Sequence, residues 1–314
     1  MSIIIHAVLL LTAFAVLAWS ADRFADAAAR LSLRSGLSMT LVGVVVVGFG
    51  TSTPEILVSA LAAIDNRPEL AVGNAIGSNI ANVALILGVT ALIIPMVGKP
   101  ESVRSAYTMV ALASVILVPL ISDGRLLRGE GLVLLALLIP ALVWLIRSGS
   151  PQNIAVEETA VIEARRERPL RLAAWLLVAL LALLFSAHLL VQTASTLARL
   201  VGISELVIGL TIVAVGTSLP ELATTLAAAR RQRFGLAIGN ILGSNLFNLL
   251  AVLGLAAAIT PVTLDRLALL RDVGMMNLLL VLLGVLLWRQ RIGRPAAGLL
   301  LIAYAAWQGS LLIT

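Results

Sequence analysis

Ten apolar stretches divide the chain, and each is long enough to cross a lipid bilayer as a helix. A bilayer core of roughly 30 Å requires about 20 apolar residues in helical form. A spanning segment must also satisfy its own backbone hydrogen bonds, so these stretches predict an all-α polytopic membrane protein with ten transmembrane helices. The predicted spans are 3–20, 37–62, 70–95, 105–122, 130–146, 172–196, 204–229, 236–260, 268–288 and 295–313.

Composition narrows the chemistry that such a protein can carry. Of the 314 residues, 60% are hydrophobic and 12% are charged, and none is cysteine. The absence of cysteine excludes disulfides and thiolate metal sites, so a bound metal must use oxygen ligands or one of the two histidines. The first span has no Lys or Arg before its apolar core, and we interpret it as a retained helix rather than a secretory signal.

The distribution of basic residues predicts how the chain is oriented. We predict that the protein lies in a bacterial inner (plasma) membrane. By the positive-inside rule, the basic side is cytoplasmic, so both termini lie on the outer side and the 148–169 connection lies in the cytoplasm. No aromatic and basic platform accompanies the net charge of +6, so a nucleic-acid partner is not expected. Sixteen of the 22 basic residues lie on that side: Arg23, Arg30, Arg34, Lys99, Arg104, Arg147, Arg165, Arg166, Arg168, Arg171, Arg230, Arg231, Arg233, Arg289, Arg291 and Arg294.

The polar residues of the first half recur at a constant offset of 166 positions. The register holds without a gap from Ser20, matched by Ser186, through Pro95, matched by Pro261. Chance alignment of two apolar segments would match Leu, Val and Ala, whereas here Gly, Pro, Asn, Ser, Thr and Glu match. The other pairs are Gly36/Gly202, Thr51/Thr217, Ser52/Ser218, Pro54/Pro220, Glu55/Glu221, Gly73/Gly239, Asn74/Asn240, Gly77/Gly243, Ser78/Ser244, Asn79/Asn245, Asn82/Asn248 and Gly88/Gly254.

The repeat predicts two five-helix halves joined by a linker. The first half is 1–147 with its motif at 48–82, the linker is 148–169, and the second half is 170–314 with its motif at 214–248. Because five is odd, the second half enters the membrane in the opposite orientation to the first. Such inverted repeats are typical of alternating-access transporters, with the binding site near the bilayer middle.

Two duplicated glutamates, Glu55 and Glu221, are the candidate functional centre. A carboxylate at membrane depth is costly unless it faces protein, water or an ion. The hydroxyl residues three and four positions before each glutamate share its helix face, and a serine and an asparagine four positions apart share one face of the next span in each half. Pro54 and Pro220 also leave carbonyls about four residues earlier without their helical donors. The neighbouring polar residues are Thr51, Ser52, Ser78 and Asn82, with their repeats Thr217, Ser218, Ser244 and Asn248.

This set of ligands favours a hard cation. Ca²⁺ takes six to eight oxygen ligands, including carboxylates, and Na⁺ can use the same neutral oxygens. Mg²⁺ fits less well because it keeps bound waters. The GxxxG spacings within 73–77 and 239–243 permit close helix approach. We assign Asn79 and Asn245 structural roles, since they lie on a different part of the helix from Ser78 and Asn82.

The chain resembles the cation/calcium exchanger superfamily, including its prokaryotic sodium/calcium exchangers. The resemblance is carried by GTSTPE followed by GNAIGSN in one half and by GTSLPE followed by GNILGSN in the other. It implies ten helices, exchange of Ca²⁺ against Na⁺ or H⁺ without a cofactor, and sliding of the first and sixth spans against the core. The ion ligands that it implies are Glu55, Glu221, Thr51, Thr217, Ser52, Ser218, Ser78, Ser244, Asn82 and Asn248, with backbone oxygens near Gly48 and Ala214.

One departure from the family pattern affects the counter-ion. Many sodium/calcium exchangers have Asp in the second repeat where this chain has Asn248, so the predicted site holds two carboxylates rather than three. Two ionised glutamates neutralise one Ca²⁺, so calcium binding remains expected. Sodium is the first expectation for the counter-ion. We also expect the protein to work as a monomer. Proton coupling is the alternative, because a carboxylate pair at low dielectric can titrate near neutral pH.

Other interpretations of the motif are less favoured. A kinked packing helix with a hydrogen-bonded glutamate would not explain why the whole motif is duplicated. An enzyme would need an activated nucleophile, a zinc motif or a nucleotide loop, none of which accompanies the glutamates. A channel would need a continuous pore, whereas close-packed helices around two carboxylates favour occlusion.

Overall fold

The computed structural model describes residues 2–98, 103–148, 168–200 and 214–311. These residues are largely helical. The predicted linker, apart from its ends, and the first part of the predicted seventh span lie outside the described residues. The helices are α1 Ser2–Ser35, α2 Met39–Thr51, α3 Thr53–Ile64, α4 Pro68–Ile93, α5 Arg104–Ile121, α6 Arg128–Ser148, α7 Pro169–Leu200, α8 Ala214–Gly216, α9 Leu219–Arg230, α10 Phe234–Ile259, α11 Arg266–Trp288 and α12 Arg294–Leu311.

Seven of the described helices are long and apolar enough to cross a membrane: α1, α4, α5, α6, α7, α10 and α11. The bent pair α2 and α3, with 45° between its members, makes eight if it counts as one span. Helix α12 coincides with the predicted tenth span but is not among these. The chain is therefore a multi-pass helical membrane protein, and the full number of ten spans stays a prediction.

Two predicted spans differ from the observed helices. The first span, predicted to end at residue 20, continues as a helix to Ser35. Its second part is stabilised by packing, because small side chains such as Ala21, Ala25 and Ala28 are buried and α1 lies along α7 and α9. The second predicted span is broken at Ser52, two residues before Pro54, whose missing N–H interrupts the helical hydrogen bonds.

Helices α4 and α10 lie at the centre of the bundle and are the most deeply buried of the candidate spans. Each contains a π-helical turn, at Asn82–Ile86 in α4 and at Asn248–Val252 in α10. Helix α10 also packs closely on α2: a Cβ on Gly243 would lie 2.5 Å from the carbonyl oxygen of Val44. Only glycine permits this approach. The GxxxG spacing of this half predicted such close packing between helices.

Four two-residue strands join the two halves, and the sequence analysis did not predict them. Strand β1 (Met96–Val97) pairs with β4 (Arg291–Ile292), and β2 (Arg125–Leu126) pairs with β3 (Val262–Thr263). Adding 166 to β1 gives β3, and adding it to β2 gives β4. Each strand therefore pairs with a strand of the other half. The 166-residue offset that relates the two halves converts the β1–β4 pair into the β3–β2 pair.

The backbone repeats this relation at the turns. Asn66 and Gln232, which are 166 positions apart, both have a φ of 56°. Gly124 and Gln290, again 166 apart, have φ values of 80° and 55°. Residues other than glycine rarely adopt such angles, so the shared conformation shows that the two halves use the same turns.

Ion pairs tie α1 to the turn after α9. Arg231 forms two hydrogen bonds with Asp22, at 2.7 and 2.6 Å, and a third with Asp26 at 3.0 Å. Arg233 donates to Asp26 at 2.9 Å and to the Ala25 carbonyl at 3.1 Å. We call this group the α1 ion-pair cluster. It belongs to the side of the bundle that carries the predicted cytoplasmic turns.

Candidate functional site

Both candidate glutamates lie in the first turn of a short helix that follows a break. Glu55 is in α3 after the break at Ser52, and Glu221 is in α9 after the break at Ser218. The two serines have similar backbone angles, with φ −81° and ψ 3° in one and φ −90° and ψ 7° in the other. A helix N-terminus favours negative charge, so the break places each carboxylate where the peptide dipoles stabilise it.

Side chains of both halves surround Glu221. Its Oε1 accepts a hydrogen bond from Ser52 Oγ at 3.3 Å and one from Ser244 Oγ at 3.4 Å. Ser244 Oγ also lies 3.4 Å from Thr51 Oγ1 and 3.4 Å from the Gly48 carbonyl oxygen. Three other predicted ligands and one predicted backbone oxygen thus meet around the Glu221 carboxylate.

Glu55 lies in the same buried region but has a different environment. Neither of its carboxylate oxygens has a hydrogen-bond partner among the described residues, although the side chain is 1% exposed. The Oγ of Ser218, the repeat of the serine that binds Glu221, also has no partner there. The two glutamates interact electrostatically with each other. The site is therefore unequal: the Glu221 half is hydrogen-bonded, and the Glu55 half presents free oxygens.

The asparagines at the start of the two π-helical turns add further oxygens. Asn82 Oδ1 and Asn248 Oδ1 are buried and, within the described part of the chain, have no hydrogen-bond partner. An unpaired buried polar atom costs about 1–3 kcal/mol. Six such oxygens occur among the predicted ligands: both of Glu55, Oε2 of Glu221, Oγ of Ser218, and the two asparagine Oδ1 atoms. Oxygens left unpaired in this way are suited to a ligand that accepts their lone pairs.

The remaining predicted ligands lie nearby with fewer contacts. Ser78 is buried on α4 next to Asn79, and Thr217 is half-buried at the break before α9. Ala214 begins α8. In the described residues, no group of three or more His, Asp or Glu side chains is arranged to hold a metal ion. A cation bound here would use two carboxylates together with neutral oxygens, a combination that Ca²⁺ and Na⁺ accept.

Two supporting asparagines were not assigned a role in the sequence analysis. Asn240 accepts from Thr51 Oγ1 at 3.1 Å, and its amide nitrogen donates to the Glu221 carbonyl at 3.2 Å and to Thr225 Oγ1 at 2.9 Å. Asn74 donates in the same way, to the Glu55 carbonyl at 3.3 Å and to Ser59 Oγ at 2.9 Å. Each asparagine therefore fixes the short helix that carries a glutamate. The constant offset links Ser59 to Thr225 as well, so a search for chemically similar pairs would have found this set.

The fold and the site together define a class: a multi-pass helical membrane protein with a buried cluster of carboxylate, hydroxyl and amide oxygens. Residues 5–147 and 171–309 match the family described as sodium/calcium exchanger protein. The chain belongs to this family, whose members are cation exchangers rather than enzymes. The resemblance stated from the sequence motifs is confirmed.

Similar proteins extend over nearly the whole chain. The inner membrane protein YrbG of Escherichia coli is 38% identical over 306 residues, which cover 95% of this chain and 94% of that protein. The sodium/calcium exchanger MaX1 of Methanosarcina acetivorans is 29% identical over 303 residues, or 85% and 87% of the two chains. A solved structure of the sodium-calcium exchanger NCX_Mj soaked with Na⁺ matches with a TM-score of 0.81 and 31% identity, covering 98% of this chain and 99% of that one.

Proposed function

We propose that this protein exchanges Ca²⁺ for Na⁺ across the membrane, at a site formed by Glu55, Glu221 and the neutral oxygens between them. The observation that carries the proposal is the set of six buried oxygens on predicted ligands that have no hydrogen-bond partner among the described residues. Two ionised glutamates balance the charge of one Ca²⁺, and Na⁺ ions can replace it on the same hydroxyl, amide and carbonyl oxygens.

The proposed architecture is a ten-helix inverted repeat divided as 1–147, 148–169 and 170–314. The exchange of strand pairings under the 166-residue offset supports it, because such an exchange is what a two-fold relation between halves produces. In this arrangement both termini lie outside, the linker is cytoplasmic, and the monomer in a bacterial inner membrane is the working unit.

Alternating access is supported by the unequal halves of the site. Near the second half, α10 is closed against α2 at Gly243, and Glu221 is hydrogen-bonded. Near the first half, a cavity of about 160 Å³ reaches Gly73 and Gly77 on α4, the repeats of the packed glycines. The residues that line it include Glu69, Asp265 and Asp272, which belong to the predicted outer side. We infer that the structure represents an outward-facing state, closed towards the cytoplasm.

Calcium/proton exchange is the second candidate function. It is favoured by Asn248, which leaves the site without a third carboxylate, and by the electrostatic interaction between the two buried glutamates. Two like charges in a low-dielectric site are stabilised when one of them takes a proton. A proton could then leave as Ca²⁺ enters.

The decisive experiment is uptake of radioactive Ca²⁺ into proteoliposomes under an imposed outward Na⁺ gradient or, separately, an outward proton gradient. Uptake driven by Na⁺ supports the first candidate. Uptake driven by protons alone would replace it with the second. Uptake by an exchanger saturates with Ca²⁺ concentration and is accelerated by the opposing gradient. Uptake that is independent of both gradients would contradict antiport.

The site itself is tested by Glu55→Gln and Glu221→Gln, which remove one charge each without changing side-chain size. Both variants should lose Ca²⁺ uptake, because one carboxylate cannot balance a divalent ion. Asp65→Asn is the matched control, since Asp65 is exposed on the turn after α3 and pairs with Arg67 only at 3.4 Å. Full transport by either glutamate variant would refute the proposed site.

A further inference from the structure

Two asparagines outside the predicted ligand set make hydrogen bonds between the halves. Asn82 donates from Nδ2 to Asn245 Oδ1 at 3.0 Å, and Asn248 donates from Nδ2 to Asn79 Oδ1 at 3.2 Å. The two bonds exchange under the 166-residue offset. All four side chains are buried. These contacts form the only direct amide pairs between α4 and α10 that the described residues contain.

An asparagine can bind a cation only through its oxygen. Its amide has an oxygen at one end and an NH₂ group at the other, and rotation by half a turn about the last side-chain bond exchanges them. In the observed orientation, Asn82 and Asn248 use the nitrogen to bind the neighbouring helix. Their oxygens are then left buried and, in the described residues, without a partner.

The opposite orientation is disfavoured by the same partners. It would place the oxygen of Asn82 against the oxygen of Asn245, and would direct an NH₂ group at the cation. The orientation of Asn79 is weakly favoured in turn, because its Nδ2 donates to the sulfur of Met276 at 3.6 Å, a weak acceptor. Buried polar groups are held in one arrangement when each alternative leaves a donor or acceptor unsatisfied.

The backbone reinforces this geometry. Asn82 and Asn248 each begin a π-helical turn, and their carbonyls accept from the N–H groups of Leu87 and Leu253, five residues on. Such turns widen the helix locally and recur at functional sites. The asparagine side chains therefore project from matched, distorted points of the two central helices.

We propose that Asn79 and Asn245 are positioning residues, which hold Asn248 and Asn82 so that both present oxygen rather than nitrogen to the transported cation. This inference rests on the proposed function, because it needs a cation at the site. It gives Asn79 and Asn245 a share in ion selectivity beyond the packing role predicted from the sequence.

The test is a double-mutant cycle read by saturable binding of radioactive Ca²⁺ to purified protein. Asn245→Leu should weaken binding by about tenfold or more when Asn82 is present, as expected for a misoriented buried amide. In the Asn82→Asp protein, either carboxylate oxygen can face the ion, so Asn245→Leu should weaken binding less than about threefold by the same reasoning. The Asn79→Leu and Asn248→Asp pair should behave in the same way.

Equal losses in both backgrounds would overturn the inference, since a packing role does not depend on the residue at 82. Asn245→Ala replaces Asn245→Leu if the larger side chain prevents folding, with the same expectation. Asn245→Asp keeps the acceptor oxygens and should preserve binding with Asn82 present; a tenfold loss there would also contradict the inference.

The unsubstituted protein and Glu55→Gln distinguish this inference from the proposed function. If the unsubstituted protein does not bind Ca²⁺, or if Glu55→Gln binds it equally well, the proposed site fails. If those two controls behave as expected and the cycle shows no difference between backgrounds, only the positioning role of Asn79 and Asn245 fails.

Discussion

At the scale of single residues, Asn240 shows how much of the site depends on groups that do not themselves face the ion. It connects Thr51 of the first half to the backbone of Glu221 and to Thr225 in the second. Its repeat, Asn74, makes two of the corresponding bonds and is only half-buried. The two halves therefore support their glutamates by the same device but to different extents.

Asn240→Ala should consequently be more damaging than Asn74→Ala. Removing Asn240 takes one hydrogen-bond partner each from Thr51, Thr225 and the Glu221 carbonyl, at about 1–3 kcal/mol, although Thr51 keeps its bond to the Val47 carbonyl. We expect a lower thermal unfolding midpoint in detergent and weaker Ca²⁺ binding. Asn74→Ala is the matched control at the equivalent position, and an equal or larger effect from it would contradict the asymmetry seen in the structure.

The residue scale is also where the sequence predicts most. Glu55 and Glu221 are predicted as site residues because a carboxylate in an apolar segment is energetically costly and because both are duplicated. Both are buried in the structure. The hydrogen-bond partners could not be predicted. Repeat spacing treats Ser52 and Ser218 alike, so it cannot predict that Ser52 binds Glu221 while Ser218 has no partner among the described residues.

At the scale of helices, close packing between α2 and α10 distinguishes the two halves. A methyl group on Gly243 would lie 2.5 Å from Val44 O and 2.6 Å from Val44 Cα. At the equivalent Gly77, the nearest group is the flexible side chain of Trp307 at 3.7 Å. The two glycines occupy identical motif positions, yet only one of them permits a backbone contact within the described residues.

Gly243→Ala should therefore destabilise the protein by about 1–3 kcal/mol, the usual cost of overpacking a buried contact. Gly77→Ala should be close to neutral. Thermal unfolding of both variants in the same detergent provides the comparison. Similar losses at the two positions would show that α4 also makes a close glycine contact.

The α1 ion-pair cluster gives a second prediction at this scale. Arg233 binds Asp26 and a carbonyl of α1, whereas among the described residues the side chain of its repeat, Arg67, reaches only Asp65, at 3.4 Å on its own turn. Arg233→Gln should reduce the free energy of unfolding by roughly 1 kcal/mol and so lower the thermal unfolding midpoint. Arg67→Gln should have almost no effect on either quantity. The difference should shrink in high salt, which screens partly exposed pairs; a salt-independent loss would point to packing instead.

Helix boundaries show where sequence reasoning is limited. The predicted first span ended where charged residues begin, yet α1 continues to Ser35. Asp22 and Asp26 are satisfied there by arginines that are more than 200 residues away in sequence. Hydropathy measures each segment in isolation, so it detects the apolar part of α1 but not the distant partners that stabilise its polar part.

At the scale of the whole molecule, the proposed orientation of the two halves makes a direct prediction. Because the chain contains no cysteine, single cysteines can report on topology without background labelling. Asp65 and Arg230 are both exposed at the ends of the matched helices α3 and α9. In the inverted repeat they face opposite sides of the membrane.

A membrane-impermeant thiol reagent should label Asp65→Cys in intact spheroplasts and Arg230→Cys only after permeabilisation. Unmodified transport by both variants would establish that the labelled proteins are folded. Labelling of both cysteines from the same side would contradict the inverted arrangement, and the reverse order would place the termini in the cytoplasm.

The exchanged strand pairs carry a consequence for the origin of this molecule. The two strands of one half do not pair with each other: β1 pairs with β4 and β2 pairs with β3, so every strand has its partner in the other half. An ancestral chain with a single half would have had two unsatisfied strand edges, and a second copy of itself would have matched both. Under the proposed inverted arrangement, the two subunits of such a homodimer would insert in opposite directions and would bring both halves of the proposed site together.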